Sequence, residues 1–274
     1  MCQLLGMNCN TPTDIQFSFE GFAKRGGLTD EHADGWGIAF FEGSAARCFI
    51  DHRPASDSPV AELIRNYPIR SYNVISHIRK ATVGQVKLQN CHPFIRELWG
   101  QAWVFAHNGD LKDFNPSLQG DFLPIGETDS ELAFCLLLQT LKNEFGYRTA
   151  GNRPSVAEVD EVLRPVCSKI AEHGTFNMLL SNGQAMYTHC STKLEYIVRA
   201  HPFKAAHLVD CDIQVDFGAV TTQNDRVAVI ATSALTNDEV WTPFEPQSFL
   251  VFEDGRPVLK NCLLYTSPSP RDRG

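Results

Sequence analysis

Cys2 is the residue in this sequence best suited to nucleophilic chemistry. It directly follows Met1, and methionine aminopeptidases remove an initiator Met when the next side chain is small. Cys2 would then carry both a thiol and a free α-amino group, whose ordinary pKa of about 7.7 to 8.0 leaves part of it neutral at pH 7 and able to accept the thiol proton. The placement predicts a nucleophile and a base in one residue; the alternative is an inert cysteine.

The pair Asn108-Gly109 has the donors that a tetrahedral oxyanion requires. Asn108 offers a side-chain NH₂ group, and Gly109 offers a backbone N–H that no Cβ obstructs. An Asn-Gly pair is also a frequent hairpin turn, and Asn182-Gly183 is interpreted as such a turn, of type I′. For Asn108-Gly109 both interpretations stay open at the level of the residues.

Three further residues predict a site for an α-amino acid. Arg79 ends a predicted strand, and Thr82 follows three residues later, so a guanidinium and a hydroxyl could bind a carboxylate together; the alternative is an ordinary surface Arg at a strand end. Asp129 lies in the segment Thr128-Asp129-Ser130-Glu131, where it could pair with an ammonium group or simply favour the helix dipole. With Cys2 and Asn108-Gly109, these residues form a complete acyl-transfer set for an amino acid with an electrophilic side-chain carbonyl.

Neither a metal nor a cofactor is expected. The nine cysteines are odd in number and contain no C-x-x-C pair, which is typical of reduced thiols rather than of a zinc site or a disulfide framework. No stretch has the length of a membrane span, and the N-terminus lacks the pattern of a signal peptide. A cytoplasmic location is therefore predicted.

Composition limits the protein class further. The chain has 274 residues, 43% hydrophobic and 20% charged, and a net charge of −8. This length and hydrophobicity allow a well-buried core, which excludes a disordered chain. The acidic balance argues against nucleic acid and anionic membranes as partners, because both favour a positively charged surface.

The elements that must position these residues occur in the order strands, two helices, strands. Helices are predicted at residues 15–24 and 58–67, and again at 128–145 and 155–174, where T-x-x-E and S-x-x-E segments indicate capping boxes. Short strands precede the long helices, the last of them ending before Asn108, and more follow residue 175. This order is not βαβ alternation. It predicts an α+β fold with helices outside mainly antiparallel sheets.

In its motifs the sequence resembles the class II glutamine amidotransferases, which are N-terminal-nucleophile (Ntn) hydrolases, and in particular the stand-alone YafJ-type subgroup. The matching segments lie in family order over residues 2–255: Met1-Cys2, Asp34-Gly35-Trp36-Gly37, His77-Ile78-Arg79-Lys80-Ala81-Thr82, His92-Pro93-Phe94, His107-Asn108-Gly109 and Thr128-Asp129-Ser130-Glu131. The resemblance implies a four-layer αββα sandwich.

The resemblance also implies roles for the candidate residues. It assigns Cys2 as the nucleophile, Asn108 and Gly109 as the oxyanion hole, and Arg79 and Asp129 as glutamine-binding residues; His92 receives no role. The implied reaction is attack on the γ-amide of glutamine or of a γ-glutamyl compound, through a γ-glutamyl thioester, to release glutamate and ammonia or an amine.

Two departures from the family pattern bear on the substrate. Lys80 stands where synthase-linked members have Trp, so the lip of the pocket should differ. Residues 175–260 are too short for a synthase domain that would use ammonia. The hypotheses are a glutaminase that passes ammonia to a separate subunit, a γ-glutamyl peptide hydrolase of thiol metabolism, or a non-catalytic module that binds glutamine.

The last residues differ in character from the rest. Residues 2–255 are predicted to form one domain, and residues 256–274 a flexible tail. From about residue 263 the Pro-, Ser- and Arg-rich sequence resembles translated adapter ends, and we hypothesise that it is not native.

Overall fold

The structure is a computed structural model that describes residues 2–81 and 85–258. Its strands in chain order are β1 (Gln3–Thr13), β2 (Trp36–Glu42), β3 (Ala45–Asp51), β4 (Ser71–Ile78), β5 (Phe94–Glu97), β6 (Ala102–Leu111), β7 (Gly174–Ser181), β8 (Met186–Cys190), β9 (Glu195–Ala200), β10 (Ala205–His207), β11 (Gln214–Asp216), β12 (Arg226–Ala231), β13 (Thr242–Pro243), β14 (Ser248–Glu253) and β15 (Arg256–Pro257). The helices are α1 (Gln16–Lys24), α2 (Pro59–Asn66), α3 (Asp129–Phe145), α4 (Val156–Ala171) and α5 (Phe217–Val220).

Two antiparallel sheets stack face to face. Sheet I has the strand order β13-β9-β12-β1-β4-β2-β3, and sheet II has the order β15-β14-β8-β7-β6-β5. Strands β10 and β11 form a separate small ribbon. β1 lies between β4 and β12, so the first strand of the chain is a central strand of sheet I, whereas the last strands, β14 and β15, belong to sheet II.

Three hydrophobic layers hold the stack together. One lies between sheet I and the helices α1 and α2, and includes Phe19 and Trp36. A second lies between the two sheets and includes Leu4 and Leu179, while a third packs α3 and α4 on sheet II around Phe105. The predicted four-layer αββα sandwich is confirmed.

The long helices begin where their capping residues predict. Ser155 and Glu158 form a reciprocal capping box at the start of α4. At α3 the Thr128 hydroxyl accepts a hydrogen bond from the Glu131 N–H at 3.2 Å, as predicted. The second half of that box is absent, because the Glu131 carboxylate instead binds Arg96 and the Gly126 N–H.

The two Asn-Gly segments differ from the turn interpretation. β6 does not end before Asn108 but continues through Gly109, which pairs with Phe176 of β7. At Asn182-Gly183 the connection spans four residues, because Ser181 pairs with Met186, and positive φ occurs at Gly183 but not at Asn182. The predicted type I′ turn is therefore wrong, since that turn needs positive φ at both central residues.

Within residues 2–81 and 85–258, no helix combines the length and the apolar character needed to cross a bilayer. The last described strand is β15. Its residues Arg256 and Pro257 pair with β14, and sheet II therefore extends beyond residue 255.

Candidate active site

Cys2 lies at the entrance to β1, half-buried, with its sulfur against the main chain of Lys80. The Lys80 N–H donates to Cys2 Sγ at 3.2 Å, and the thiol is 3.3 Å from the Lys80 carbonyl oxygen. Burial raises the pKa of the Cys2 thiol, although the Lys80 N–H and the charge of Arg79 act in the opposite direction. The resting thiol is therefore protonated at neutral pH, and a base would have to take its proton for it to act as a nucleophile.

Strand register brings Cys2 next to the loop that follows β4. Gln3 of β1 pairs with Ile78 of β4, and Ile78 also pairs with Trp36 of β2. The next residues in this direction, Cys2, Arg79 and Gly35, therefore lie together at one end of sheet I. Because side chains alternate along a strand, Cys2 shares the inward face of β1 with Leu4.

The Asp34-Gly35 segment holds this end of the sheet. The Arg79 N–H donates to the Gly35 carbonyl at 2.8 Å, and the Asp34 N–H donates to the Arg79 carbonyl at 3.2 Å. The Asp34 carboxylate accepts the Ala81 N–H at 2.8 Å. These bonds fix the main chain on either side of Lys80, whose N–H touches the Cys2 sulfur.

Two glycines of the Asp34-Gly35-Trp36-Gly37 motif are required by close packing. A Cβ on Gly35, which has φ +113°, would lie 2.6 Å from Cys91 Sγ, and a Cβ on Gly37 would lie 2.4 Å from the His92 carbonyl oxygen. The motif therefore lets the segment that contains Cys91 and His92 pack against β2.

Asn108 reaches Cys2 from the opposite sheet. Its Nδ2 donates to the Cys2 carbonyl oxygen at 2.5 Å. A side-chain NH₂ group has two hydrogens, so one remains for a ligand. The Asn108 Oδ1 is buried and has no hydrogen-bond partner.

The N–H of Gly109 points away from β7. The Lys112 N–H donates to the His173 carbonyl, on the β7 side, whereas the Leu111 N–H donates to Asp129 Oδ2 at 2.7 Å. Successive N–H groups of a strand point to opposite edges, so the N–H of Gly109 faces the same edge as that of Leu111. The pairing of β5 with β6 stops at Phe105, before this point.

Asp129 begins α3 beside this edge. Its two carboxylate oxygens accept the N–H of Leu111 at 2.7 Å and the N–H of Ser130 at 2.8 Å. Asp129 therefore ties α3 to β6 and lies at the positive end of the helix dipole. These contacts favour the interpretation that Asp129 stabilises the start of the helix. Because its carboxylate is only half-buried, binding of a substrate ammonium group stays a prediction.

Arg79 is buried beside Cys2, with 3% of its surface exposed. Its Nη1 donates to the Gln85 carbonyl oxygen at 3.2 Å. The predicted partner Thr82 lies outside the described residues. The neighbouring Lys80 side chain forms an exposed ion pair with Glu31 at 3.2 Å, which joins the loop after β4 to the segment before β2.

Two histidines at the site were not given a role from the sequence. The rings of His77 and His92 pack on each other with centroids 4.2 Å apart, buried between the sheets. Burial lowers the pKa of His77 to about 3 and also lowers that of His92, so both rings are neutral at neutral pH. The alternation of inward residues along β4, with His77 two positions after Ile75, is the signal that could have identified His77.

The structure brings together the residues predicted to be the nucleophile and the oxyanion donors. Cys2, Asn108 and Gly109 come together where β1 and β6 face each other, with Arg79 and Asp129 on adjoining elements. Such a set can support acyl transfer by a thiol. Across the described ranges, no group of three or more His, Cys, Asp or Glu side chains is arranged to hold a metal ion.

Comparisons with known proteins agree on one family. A family model for class-II glutamine amidotransferases matches residues 1–273. The chain is 54% identical over 259 residues to a Haemophilus influenzae protein assigned as a glutamine amidotransferase, covering 94% of this chain and 86% of that protein. It is 48% identical over 259 residues to Escherichia coli YafJ, which carries the same assignment, covering 94% of this chain and all of YafJ.

A solved structure is similar as well. The crystal structure of a predicted glutamine amidotransferase from Pseudomonas aeruginosa superposes with a TM-score of 0.74 at 42% identity, covering 94% of this chain and 100% of that one. The chain belongs to the class-II glutamine amidotransferases.

Proposed function

We propose that this protein hydrolyses the side-chain amide of glutamine or of a γ-glutamyl compound, with Cys2 as the nucleophile. The observation that carries the proposal is the convergence of the Asn108 amide and the Lys80 main chain on Cys2. Residues 2–255 act as one amidotransferase domain in this proposal, in the cytoplasm, with no cofactor.

The first half of the reaction transfers the glutamyl group to sulfur. After removal of Met1, the α-amino group of Cys2 takes the thiol proton, and the sulfur attacks the amide carbonyl carbon. The second hydrogen of Asn108 Nδ2 and the Gly109 N–H stabilise the resulting oxyanion. The C–N bond then breaks, and the Cys2 ammonium returns the proton to the leaving ammonia or amine.

The second half releases glutamate. Water attacks the γ-glutamyl thioester, the same oxyanion donors act again, and the C–S bond breaks to restore the thiol. In this proposal Arg79 and Thr82 bind the substrate carboxylate, and Asp129 binds its ammonium group. A buried guanidinium suits a carboxylate because its planar N–H groups match the two oxygens.

The proposal is tested by intact and N-terminal mass spectrometry after treatment with a diazo-ketone analogue of glutamine. We expect loss of Met1 and one covalent adduct, on Cys2. Cys211→Ser is the matched control, because Cys211 is another half-buried free thiol, and this variant should be labelled as fully as the wild type. A chain that keeps Met1 and stays unlabelled would overturn the proposal.

Turnover identifies the leaving group. Glutamate release is measured with glutamine and with γ-glutamylcysteine, and Cys2→Ala should abolish both rates. Faster release from glutamine favours a glutaminase with a separate ammonia-accepting subunit, whereas faster release from γ-glutamylcysteine favours a peptide hydrolase. Glutamine binding without turnover would instead indicate a regulatory module.

A further inference from the structure

Polar atoms without hydrogen-bond partners gather between the sheets beside Cys2. Three buried groups lack a well-formed hydrogen bond to protein atoms: the ring of His77, whose bond with the main chain of His107 is weak, the ring of His92, and Oδ1 of Asn108. The exposed fractions of these side chains are 0%, 4% and 0%. Buried polar groups are almost always satisfied, directly or through an ordered water, so this cluster calls for a shared explanation.

The fold places the two rings on the same face as Cys2 and opposite Asn108. His77 pairs with Leu4 of β1, so Cys2 is its diagonal neighbour on the inward face of sheet I, about 7 to 8 Å away between backbones. The His77 ring lies near the main chain of His107, the residue before Asn108. Asn108 shares the inward face of β6 with Ala106.

Neighbouring groups hold both rings in place. His92 packs against His77 on one side and against Phe94 on the other, with the Phe94 ring centroid at 4.5 Å. The main chain of His92 lies over Gly37, where a Cβ would clash with it. The rings therefore do not turn away to find other partners.

Neutral imidazoles supply what Asn108 needs. A neutral ring has one N–H donor and one acceptor nitrogen. A side-chain amide can present either its oxygen or its NH₂ group to a given side, and the choice depends on its hydrogen-bond partners. With Nδ2 bonded to the Cys2 carbonyl oxygen, Oδ1 is left as a buried acceptor without a protein partner.

We propose that His77 and His92 are positioning residues, which hold the Asn108 amide, through a bridging water, with its NH₂ group toward Cys2. They touch neither the substrate nor the reacting atoms. The inference rests on the proposed function, because it assigns the oriented amide to the oxyanion hole.

Kinetics provide the first test. His77→Phe and His92→Phe keep the ring packing and remove the N–H donor, so kcat for glutamate release should fall about tenfold with KM unchanged, less than the 10² to 10³ expected for Asn108→Ala itself. In the Asn108→Ala background the same changes should have no further effect. His77→Gln, which keeps an N–H donor, should recover most of the rate.

A matched control separates this role from general core damage. His189 is also buried, with an unpartnered Nε2, but it packs against Phe176 on the helix side of sheet II. His189→Phe should leave kcat within about twofold of the wild type. Any of three results would overturn the inference. The first is an unchanged kcat in folded His77→Phe and His92→Phe, and the second is an equal loss of kcat in His189→Phe. The third is a loss of kcat that adds to the loss caused by Asn108→Ala.

A second readout does not need turnover. In protein labelled with ¹⁵N-asparagine, the side-chain NH₂ signals of Asn108 are assigned by their loss in Asn108→Ala. They should exchange slowly with solvent in the wild type and in His189→Phe, and much faster in His77→Phe and His92→Phe. If the wild type neither turns over substrate nor binds the diazo-ketone, the proposed function fails, whereas equal exchange in all variants refutes the positioning role alone.

Discussion

Gly109 combines an observed packing requirement with a proposed role in the oxyanion hole. A Cβ at this position would lie 1.8 Å from the Thr175 carbonyl oxygen and 2.6 Å from His107 Nε2. The backbone of β6 can therefore approach β7 closely only with glycine here. The N–H of the same residue faces the free edge beside Asp129, where the proposed oxyanion forms.

We predict that Gly109→Ala lowers both stability and activity. Overpacking of this kind typically costs about 1 to 3 kcal/mol of unfolding free energy, and the displaced N–H should lower kcat more than it changes KM. Urea unfolding and glutamate release are the measurements. Gly151→Ala is the control, because nothing lies within 4 Å of a Cβ there; equal behaviour of the two variants would contradict the prediction.

At the scale of elements, α3 is anchored by an ion pair rather than by a full capping box. The Glu131 carboxylate is 1% exposed and binds Arg96 of β5 together with the N–H of Gly126. This pair joins the start of α3 to the edge strand of sheet II. Since Asp129 lies in the same turn, the anchor also fixes the neighbourhood of Gly109.

We expect Glu131→Gln to destabilise the protein by about 3 kcal/mol, because it leaves the Arg96 guanidinium without its buried counter-charge. The exposed pair between Lys142 and Asp121, at 2.6 Å, offers a matched comparison. Asp121→Asn should cost less than about 1 kcal/mol. Denaturant midpoints measure both values, and similar losses for the two variants would show that burial does not control the effect.

At the scale of the whole molecule, the buried interior encloses neutral histidines, with His77 and His92 between the sheets and His107 on the helix side of sheet II. Burial lowers the pKa of His77 to about 3, and it also lowers the pKa values of His92 and His107. In the unfolded chain each has a pKa near its ordinary value of about 6.5. Below that pH the unfolded chain binds protons that the folded protein excludes.

The unfolding free energy should therefore be highest above pH 6.5 and fall as the pH is lowered toward 3. For His77 alone the slope approaches about 1.4 kcal/mol per pH unit within that window. Chemical unfolding at a series of pH values tests this, with His77→Phe expected to show a shallower decline. Identical pH profiles for the variant and the wild type would show that His77 does not contribute to the loss of stability at low pH.

The local sequence determined much of this protein. Capping residues predict α3 and α4, and the order of elements predicts an α+β fold with helices outside mainly antiparallel sheets. The motifs around Cys2, Arg79 and Asn108 predict an acyl-transfer family that the comparisons confirm. These signals succeed because each depends on residues a few positions apart.

Only the tertiary structure decided how the site is assembled. The contact of Cys2 with Lys80 joins residues 78 apart, and that of Asn108 with Cys2 joins residues 106 apart. Asn108-Gly109 became strand rather than turn because β7 pairs along it, and Glu131 bound Arg96 because β5 lies beside α3. Such choices depend on strand register and on the packing of two sheets, which no short segment of sequence specifies.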